Sequence, residues 1–231
     1  MAERGTPPVR AVVFDLDGTL VDSRRDIAEA TNVALRASGR APLNPSEITG
    51  YVGDGARSLL ARAARIGESS AEMGPLLAAF LDFYAAHATV HTRLLPGAAR
   101  VLGRLSGELP LGLCTNKPRR TTDAVLAGLG LGRFFRVVVA GDDLPQKKPD
   151  PRPIERIAEQ IGMSTASLVM VGDGPQDVEC GRRAGARTVG VEGGMLPRER
   201  LIASAPDVLI EKLEDLLPLL ERWCDPQATS K

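Results

Sequence analysis

Residues 11–20 read AVVFDLDGTL, a β-branched apolar run that ends in two acids one residue apart, followed by Gly and Thr. Burying one unpaired carboxylate is costly, and a second beside it adds like-charge repulsion. Asp15 and Asp17 therefore require a cation, a proton or a chemical task. An Asp-Gly turn accounts for Asp17-Gly18 alone. A calcium loop of the EF-hand type does not fit. Counting from Asp15, its sixth and twelfth positions hold Leu20 and Asp26 where Gly and Glu are required. A solvated acidic strand end is the remaining plain reading. What else the fold brings to the same edge decides among them.

Six short apolar runs recur: VRAVVF (9–14), LPLGLC (109–114), RVVVA (136–140), SLVMV (167–171), RTVGV (187–191) and DVLI (207–210). From the second run onward helical patterns alternate with them, at 121–129, 153–161, 176–184 and 213–223. Continuous apolar strands alternating with amphipathic helices imply a parallel sheet covered on both faces. Right-handed crossovers make it an α/β, Rossmann-like doubly wound sheet. About ninety residues separate the first run from the second, far more than one crossover needs. Most of that interval is helical in pattern. Ile27, Thr31, Ala34 and Leu35 share one helical face, Leu59, Leu60, Ala63 and Ala64 another, and LLAAFLDFYAAHA (76–88) reads as a third helix. Pro96-Gly97 punctuates the return to the sheet. The expectation is a catalytic core of residues 1–21 and 95–231 with a helical cap domain, 22–94, inserted after the acidic pair. The tail DPQATSK (225–231) is expected to be frayed.

Composition narrows the function classes. Hydrophobic content of 43% and charged content of 25% are ordinary for a globular chain. Lys+Arg and Asp+Glu both total 29 and aromatic content is 3%, so neither nucleic acid nor a membrane is an expected partner. The N-terminal MAERGTPPVR lacks the apolar core of a signal peptide, and no apolar run approaches membrane-spanning length. Cys114, Cys180 and Cys224 are scattered and odd in number, which suits reduced thiols in a cytoplasm. No histidine motif accompanies them for cysteine catalysis.

Ligands of an open parallel sheet bind beyond the carboxyl ends of its strands. There the first run delivers Asp15 and Asp17, and the second delivers Thr115, Asn116 and Lys117. The third is followed by Lys147 and Lys148 ahead of Pro149, and the fourth by Asp173 and Asp177. In this order DLDGT (15–19), TNKP (115–118), KKPDP (147–151) and GDGPQD (172–177) resemble the four motifs of the haloacid dehalogenase-like hydrolase superfamily. The match spans residues 11 to about 192, and the helical insert resembles that superfamily's type 1 cap. FDLDGTLVDS, TNKP and LPQKKPDP resemble the phosphoglycolate phosphatase branch in particular.

The resemblance implies a Mg²⁺-dependent phosphatase. A phosphate monoester hydrolyses extremely slowly unaided, so the site must supply a nucleophile, an acid and charge neutralisation. Asp15 would attack phosphorus and form an aspartyl-phosphate. Asp17 would protonate the leaving alcohol and then deprotonate the attacking water. Gly18 would let the backbone leave the strand sharply and approach the phosphate. Thr115 would donate to the phosphoryl oxygens, with Asn116 beside it as a substrate-binding position. The family pattern selects Lys148, directly before the proline, to balance charge, and leaves Lys147 a solvated neighbour. Asp15, the main-chain carbonyl of Asp17, and Asp173 would hold Mg²⁺, with Asp177 orienting its waters from behind. Asp15, Asp17, Asp173 and Asp177 against Lys148 leave three negative charges in excess, which also calls for a divalent ion. Gly174 stands where the branch usually has Ser.

YVGDGAR (51–57) best matches the cap loop that reads the leaving group. Gly53 and Gly55 would allow close approach, while Asp54 or Arg57 could touch the substrate. The two pull in opposite directions. A guanidinium holds a carboxylate bidentately, so Arg57 favours phosphoglycolate. Asp54 would repel it and favour a sugar. The expectation rests on Arg57 and phosphoglycolate, with a sugar-phosphate phosphatase or phosphomutase as the alternative. His87 and His91 read as a surface pair, and Trp223 as packing. GDGPQD is not a dinucleotide fingerprint, because Asp177 stands at its third glycine position. A phosphoacceptor receiver-type signalling domain is the alternative of another class; the D-x-D spacing and the large insert point away from it. The expected partner is a small phosphorylated metabolite, with monomer and homodimer both open.

Overall fold

The chain begins with β1 (Ala11–Phe14) and the short β2 (Val21–Asp22), then runs through four helices, α1 (Arg24–Ala37), α2 (Pro45–Thr49), α3 (Ala56–Ala64) and α4 (Met73–His87). β3 (Arg93–Leu94) pairs antiparallel with β2, and α5 (Ala98–Leu105) follows. The alternating half comprises β4 (Leu111–Cys114), α6 (Arg119–Gly128), β5 (Val137–Val139), α7 (Arg152–Ile161), β6 (Leu168–Gly172) and α8 (Pro175–Ala184). It ends with β7 (Arg187–Val191), α9 (Arg198–Ala203), β8 (Val208–Ile210) and α10 (Leu216–Cys224). This computed structural model describes residues 7–225; residues 1–6 and 226–231, with part of MAERGTPPVR and most of the expected frayed tail, lie outside the described residues.

Six strands form one sheet of order β5-β4-β1-β6-β7-β8, and every pairing in it is parallel. They are the six runs identified from the sequence, and the α/β doubly wound class holds. β1 reads as unbroken apolar residues because both its faces are covered. Val12 and Phe14 join one apolar cluster, Ala11 and Val13 the other, and none of the four has exposed surface. Ile154, Ile157 and Ile161, spaced along one face of α7, close the second cluster. Its neighbours β4 and β6 flank β1 on opposite sides. The loops leaving these three strands therefore diverge around a crevice at their carboxyl ends.

The inserted helices bury the faces anticipated for them, with Ile27, Thr31, Ala34 and Leu35 along α1 and Leu59, Leu60, Ala63 and Ala64 along α3. Their cluster is continuous with Val12, Phe14 and Leu16 of the sheet side. The β2–β3 ribbon, two residues on each side, ties the outgoing and returning chain together. Asp26, buried in the first turn of α1, strengthens that tie. It accepts from the N–H of His91 at 3.0 Å, the N–H of Thr92 at 2.8 Å and the Thr92 hydroxyl at 2.7 Å. His91 thus engages Asp26 through its backbone, while the His87 ring stacks on Phe83. Trp223 packs against the core, with the Arg187 guanidinium 4.8 Å over its ring.

Asp26→Ala would orphan three donors at the ribbon, two of them on buried Thr92. It should cost about 2–4 kcal/mol and lower the melting temperature by roughly 5–12 °C. A drop of less than about 2 °C in calorimetry would show that water takes over those donors.

Candidate active site

The carboxyl ends of β1, β4 and β6 meet α1, α3 and α4 around a cavity of about 50 Å³, room for no more than a few waters. Asp15 follows β1 directly, and its N–H bonds the Val171 carbonyl at 2.9 Å, extending the β1–β6 ladder by one rung. Thr115 does the same after β4, its N–H bonding the Val139 carbonyl at 3.0 Å. Both side chains are thereby aimed from rigid strand ends.

Lys148 comes in from the loop before α7 and places its ammonium between Asp15, at 2.7 Å, and Asp177, at 2.6 Å. Its side chain is only 1% exposed, which leaves those carboxylates as its counter-charge in place of water. Burial opposes the charge on Lys148. Asp15 and Asp177 outweigh that and hold its pKa well above the usual lysine range. The other oxygen of Asp177 accepts the Gly174 N–H at 3.0 Å, at the start of α8. Asp173 accepts from the Thr19 hydroxyl at 3.1 Å and from the Met195 N–H at 2.8 Å. Gly18 has φ +90°, and a Cβ there would overlap the Asp173 carboxylate; a Cβ on Gly194 would overlap it from the other side. Glycine at 18 is thus required by its neighbour as much as by its own turn.

Oxygens of Asp15, Asp173 and Asp177 lie within 4.8 Å of one another, and all three residues are buried. Burial above all pushes the Asp15 carboxyl up to about 7, with Lys148 pulling the other way. Burial, then the nearby Asp15 and Asp177, pushes Asp173 up to about 8. With all three ionised, three carboxylates against one ammonium leave two negative charges uncompensated, and the raised pKa values are the protein's response to that excess.

Asp17 is not part of that excess. Its two oxygens each accept from the Lys117 ammonium at 2.9 Å, and one also accepts from the Ser23 hydroxyl at 2.5 Å. Ser23 makes this bond in place of capping α1. The expected excess of three charges therefore falls to two, because Lys117 neutralises the fourth acid. Lys117 also donates to the Tyr84 hydroxyl on α4 and sits 4.4 Å from that ring's centroid. Burial opposes its charge too, but Asp17 prevails and raises its pKa, while burial pushes Tyr84 up to about 12. Lys117, Ser23, Tyr84 and Thr19 have no role in the sequence reading, although Lys117, Ser23 and Thr19 stand inside the quoted motifs.

Asn116 points its amide into the cap loop, donating to the carbonyls of Gly53 and Lys148, each at 2.9 Å. Its Oδ1 is buried without a partner among the described residues. Gly53 and Gly55, at φ +122° and +86°, carry the loop over the cavity, where both line the wall. Asp54 and Arg57 do not. Asp54 turns outward to pair with Arg62, and exposed Arg57 donates to the Glu68 carbonyl at 3.0 Å. The cause is helical phase: α3 starts at Ala56, Ala56 and Leu59 face the cavity, and Arg57 lies about 100° round from Ala56. Lys147 is no solvated bystander either, since its ammonium holds the Asp54 carbonyl and the Ser58 hydroxyl. At Gly174 the space of a side chain is taken by the Gln176 amide.

The sequence model of the haloacid dehalogenase-like hydrolases matches residues 12–191. The chain belongs to that family. It is 38% identical to a phosphoglycolate phosphatase of Chromobacterium violaceum, over 90% of this chain and 96% of that one. It is 33% identical to an N-acetylmuramic acid 6-phosphate phosphatase of Pseudomonas aeruginosa, over 94% and 97%. Among solved structures, a predicted phosphoglycolate phosphatase from Haemophilus somnus superposes with TM-score 0.84 at 26% identity, covering 93% of this chain and 99% of that one. The resemblance carried by the four motifs therefore holds, and the chain is a phosphatase of this family.

The raised pKa values set the pH response of the metal-free protein. A carboxyl whose folded pKa exceeds its unfolded value of 3.8 contributes stability at low pH that is lost as pH rises toward its folded pKa. The melting temperature should accordingly fall between about pH 5 and pH 8. Asp15→Asn keeps an acceptor for Lys148 but removes a buried charge. At pH 8 it should raise the metal-free melting temperature by roughly 2–6 °C while abolishing turnover. Calorimetry across pH checks both, and a fall on Asp15→Asn would count against the charge balance given above.

Proposed function

We propose that the enzyme hydrolyses a small phosphate monoester through an aspartyl-phosphate on Asp15, with Mg²⁺ as cofactor and phosphoglycolate as its preferred substrate. The observation that carries this reading is the buried trio Asp15, Asp173 and Asp177, left two charges negative by its single ammonium. A donor set of carboxylate oxygens, without His or Cys, suits a hard divalent cation. Asp15, Asp173 and the main-chain carbonyl of Asp17 would hold it, with Asp177 behind. Bound there, Mg²⁺ would offset the carboxylates and the charge on the phosphoryl oxygens.

The residues then divide the reaction. An Asp15 oxygen bonds to phosphorus as the bond from phosphorus to the leaving oxygen breaks, and Asp17, which enters this step protonated, gives its proton to that oxygen. Water next attacks phosphorus and gives its proton to Asp17, which releases phosphate and restores Asp15. Thr115 Oγ1 accepts the Lys117 N–H at 3.2 Å, so its own proton is available for a phosphoryl oxygen. Lys148 steadies the charge on Asp15 throughout. Residues 22–94 act as the cap over a core of 1–21 and 95–231. The bonds that cross between them include Asn116 to Gly53, Lys147 to Asp54 and Ser58, Lys117 to Tyr84, and Arg120 to Asp82. A cavity of 50 Å³ admits substrate only when these part.

Relatives named as phosphoglycolate phosphatases support the substrate. The N-acetylmuramic acid 6-phosphate relative favours a second reading, a sugar phosphate. That leaving group, like the one a phosphomutase would handle, needs more room and more polar walls. Three free cysteines, two of them buried, agree with a cytoplasmic setting. Among the described residues no helix is long and apolar enough to cross a membrane.

Chelation should silence turnover and Mg²⁺ should restore it, whereas Ca²⁺, with its looser shell, should not. Acid-quenched enzyme should carry phosphate on the peptide containing Asp15, read by mass spectrometry. Activity that survives exhaustive chelation, or phosphate on another residue, would refute the scheme. Arg57→Ala should change kcat/KM by less than about twofold on phosphoglycolate or a sugar phosphate, since Arg57 faces away from the cavity.

A further inference from the structure

We propose that Lys117 reads the leaving group, its ammonium taking a carboxylate carried on the substrate's leaving alcohol, with the Asp17 carboxylate holding that place when substrate is absent. The inference rests on the phosphatase reading of this site and names the residue that gives it specificity.

Among the described residues only two lysines line the cavity, and no arginine does. Lys148 lies between Asp15 and Asp177 at the nucleophile. Lys117 is the other, and it is not engaged with the nucleophile but with Asp17. Its side chain is 3% exposed, so it requires an anion, and Asp17 supplies one with both oxygens. Asp17 thus marks how a carboxylate docks there: two oxygens, one ammonium, 2.9 Å each. Tyr84 completes the receptor from α4, with its hydroxyl on the ammonium and its ring 4.4 Å beneath the charge. Apart from Tyr84, the lining that α1, α3 and α4 contribute is apolar: Ile27, Ala56, Leu59 and Phe80. Such a wall leaves the hydroxyls of a neutral sugar without partners, and it suits a short methylene ending in one anionic group. Arg57 and Asp54, turned outward, do not compete for the role.

The plain alternative is that Lys117 only fixes Asp17. The two are separated by comparing phosphoglycolate with its uncharged amide, phosphoglycolamide. Wild type should prefer the acid by at least about tenfold in kcat/KM. In Lys117→Met that ratio should collapse at least tenfold, whatever happens to the absolute rates, while Lys117→Arg should keep part of it. Tyr84→Phe should lower it less. Equal losses on both esters in Lys117→Met would overturn the proposal, because a residue that merely positions Asp17 slows the acid and the amide alike. Should Lys117→Met fail to fold, product inhibition decides: glycolate should inhibit wild type at least tenfold more tightly than glycolamide, and Tyr84→Phe should weaken glycolate alone. Equal inhibition by the two would overturn it. A wild type that turns over neither ester removes the underlying phosphatase reading, and that failure shows before any variant is made.

Discussion

One ammonium between two buried carboxylates holds this site together. Without Lys148, Asp15 and Asp177 would face each other and Asp173 in a medium that screens charge poorly, and the strand ends could not converge. With it the cluster forms but stays two charges short of neutral. That shortfall is a cost in stability, written in the raised pKa values of Asp15 and Asp173. It is also what makes the cluster attractive to a divalent cation. Stability and function pull against each other on the same three side chains.

The geometry around the cluster is as constrained as its charge. Asp173 packs against both Gly18 and Gly194, where a Cβ on either would overlap it, and it is held by one hydroxyl and one backbone N–H. Asp177 is fixed by the first turn of the helix it begins. Asp15 and Thr115 leave strands whose hydrogen-bond ladders continue through their own N–H groups. Asp15, Thr115 and Asp173 each directly follow a strand, and the parallel sheet brings those strand ends to a common edge. Sheet order, not loop sequence, does the converging.

That dependence explains what was legible in the sequence. β1 and its neighbours are apolar on both faces, so each strand reads as an unbroken run. Asp15, Thr115, Lys148, Asp173 and Asp177 follow from being counted off those strands or their motifs. β2 and β3, two residues each, carry no periodicity to read. Arg57 and Asp54 misled because their direction depends on where α3 begins. A start one residue away would swing Arg57 by about 100°. Lys117 was visible as a residue and hidden as a partner: its acid lies a hundred residues earlier and its tyrosine thirty-three earlier. Long-range ion pairs leave no local pattern, and Tyr84 sits in a helix whose sequence reads simply as apolar.

The two lysines also differ in what a displacement of the inserted helices would do to them. Lys148 bonds Asp15 and Asp177, both carried by the sheet and its flanking loops, so a displacement of α3 and α4 leaves its contacts in place. Lys117 bonds Asp17 on the sheet side and Tyr84 on α4, so the same displacement removes one of its partners and its aromatic shelf. Water entering beside Tyr84 would weaken the hold of Lys117 on Asp17, because an ion pair loses most of its strength once it is solvated. Such a displacement would therefore leave the surroundings of Asp15 unchanged while altering those of Asp17. Two acids a single residue apart on one loop are kept distinct in this way. Asp15 is tied through Lys148 to Asp177, and Asp17 is tied through Lys117 to Tyr84 on α4.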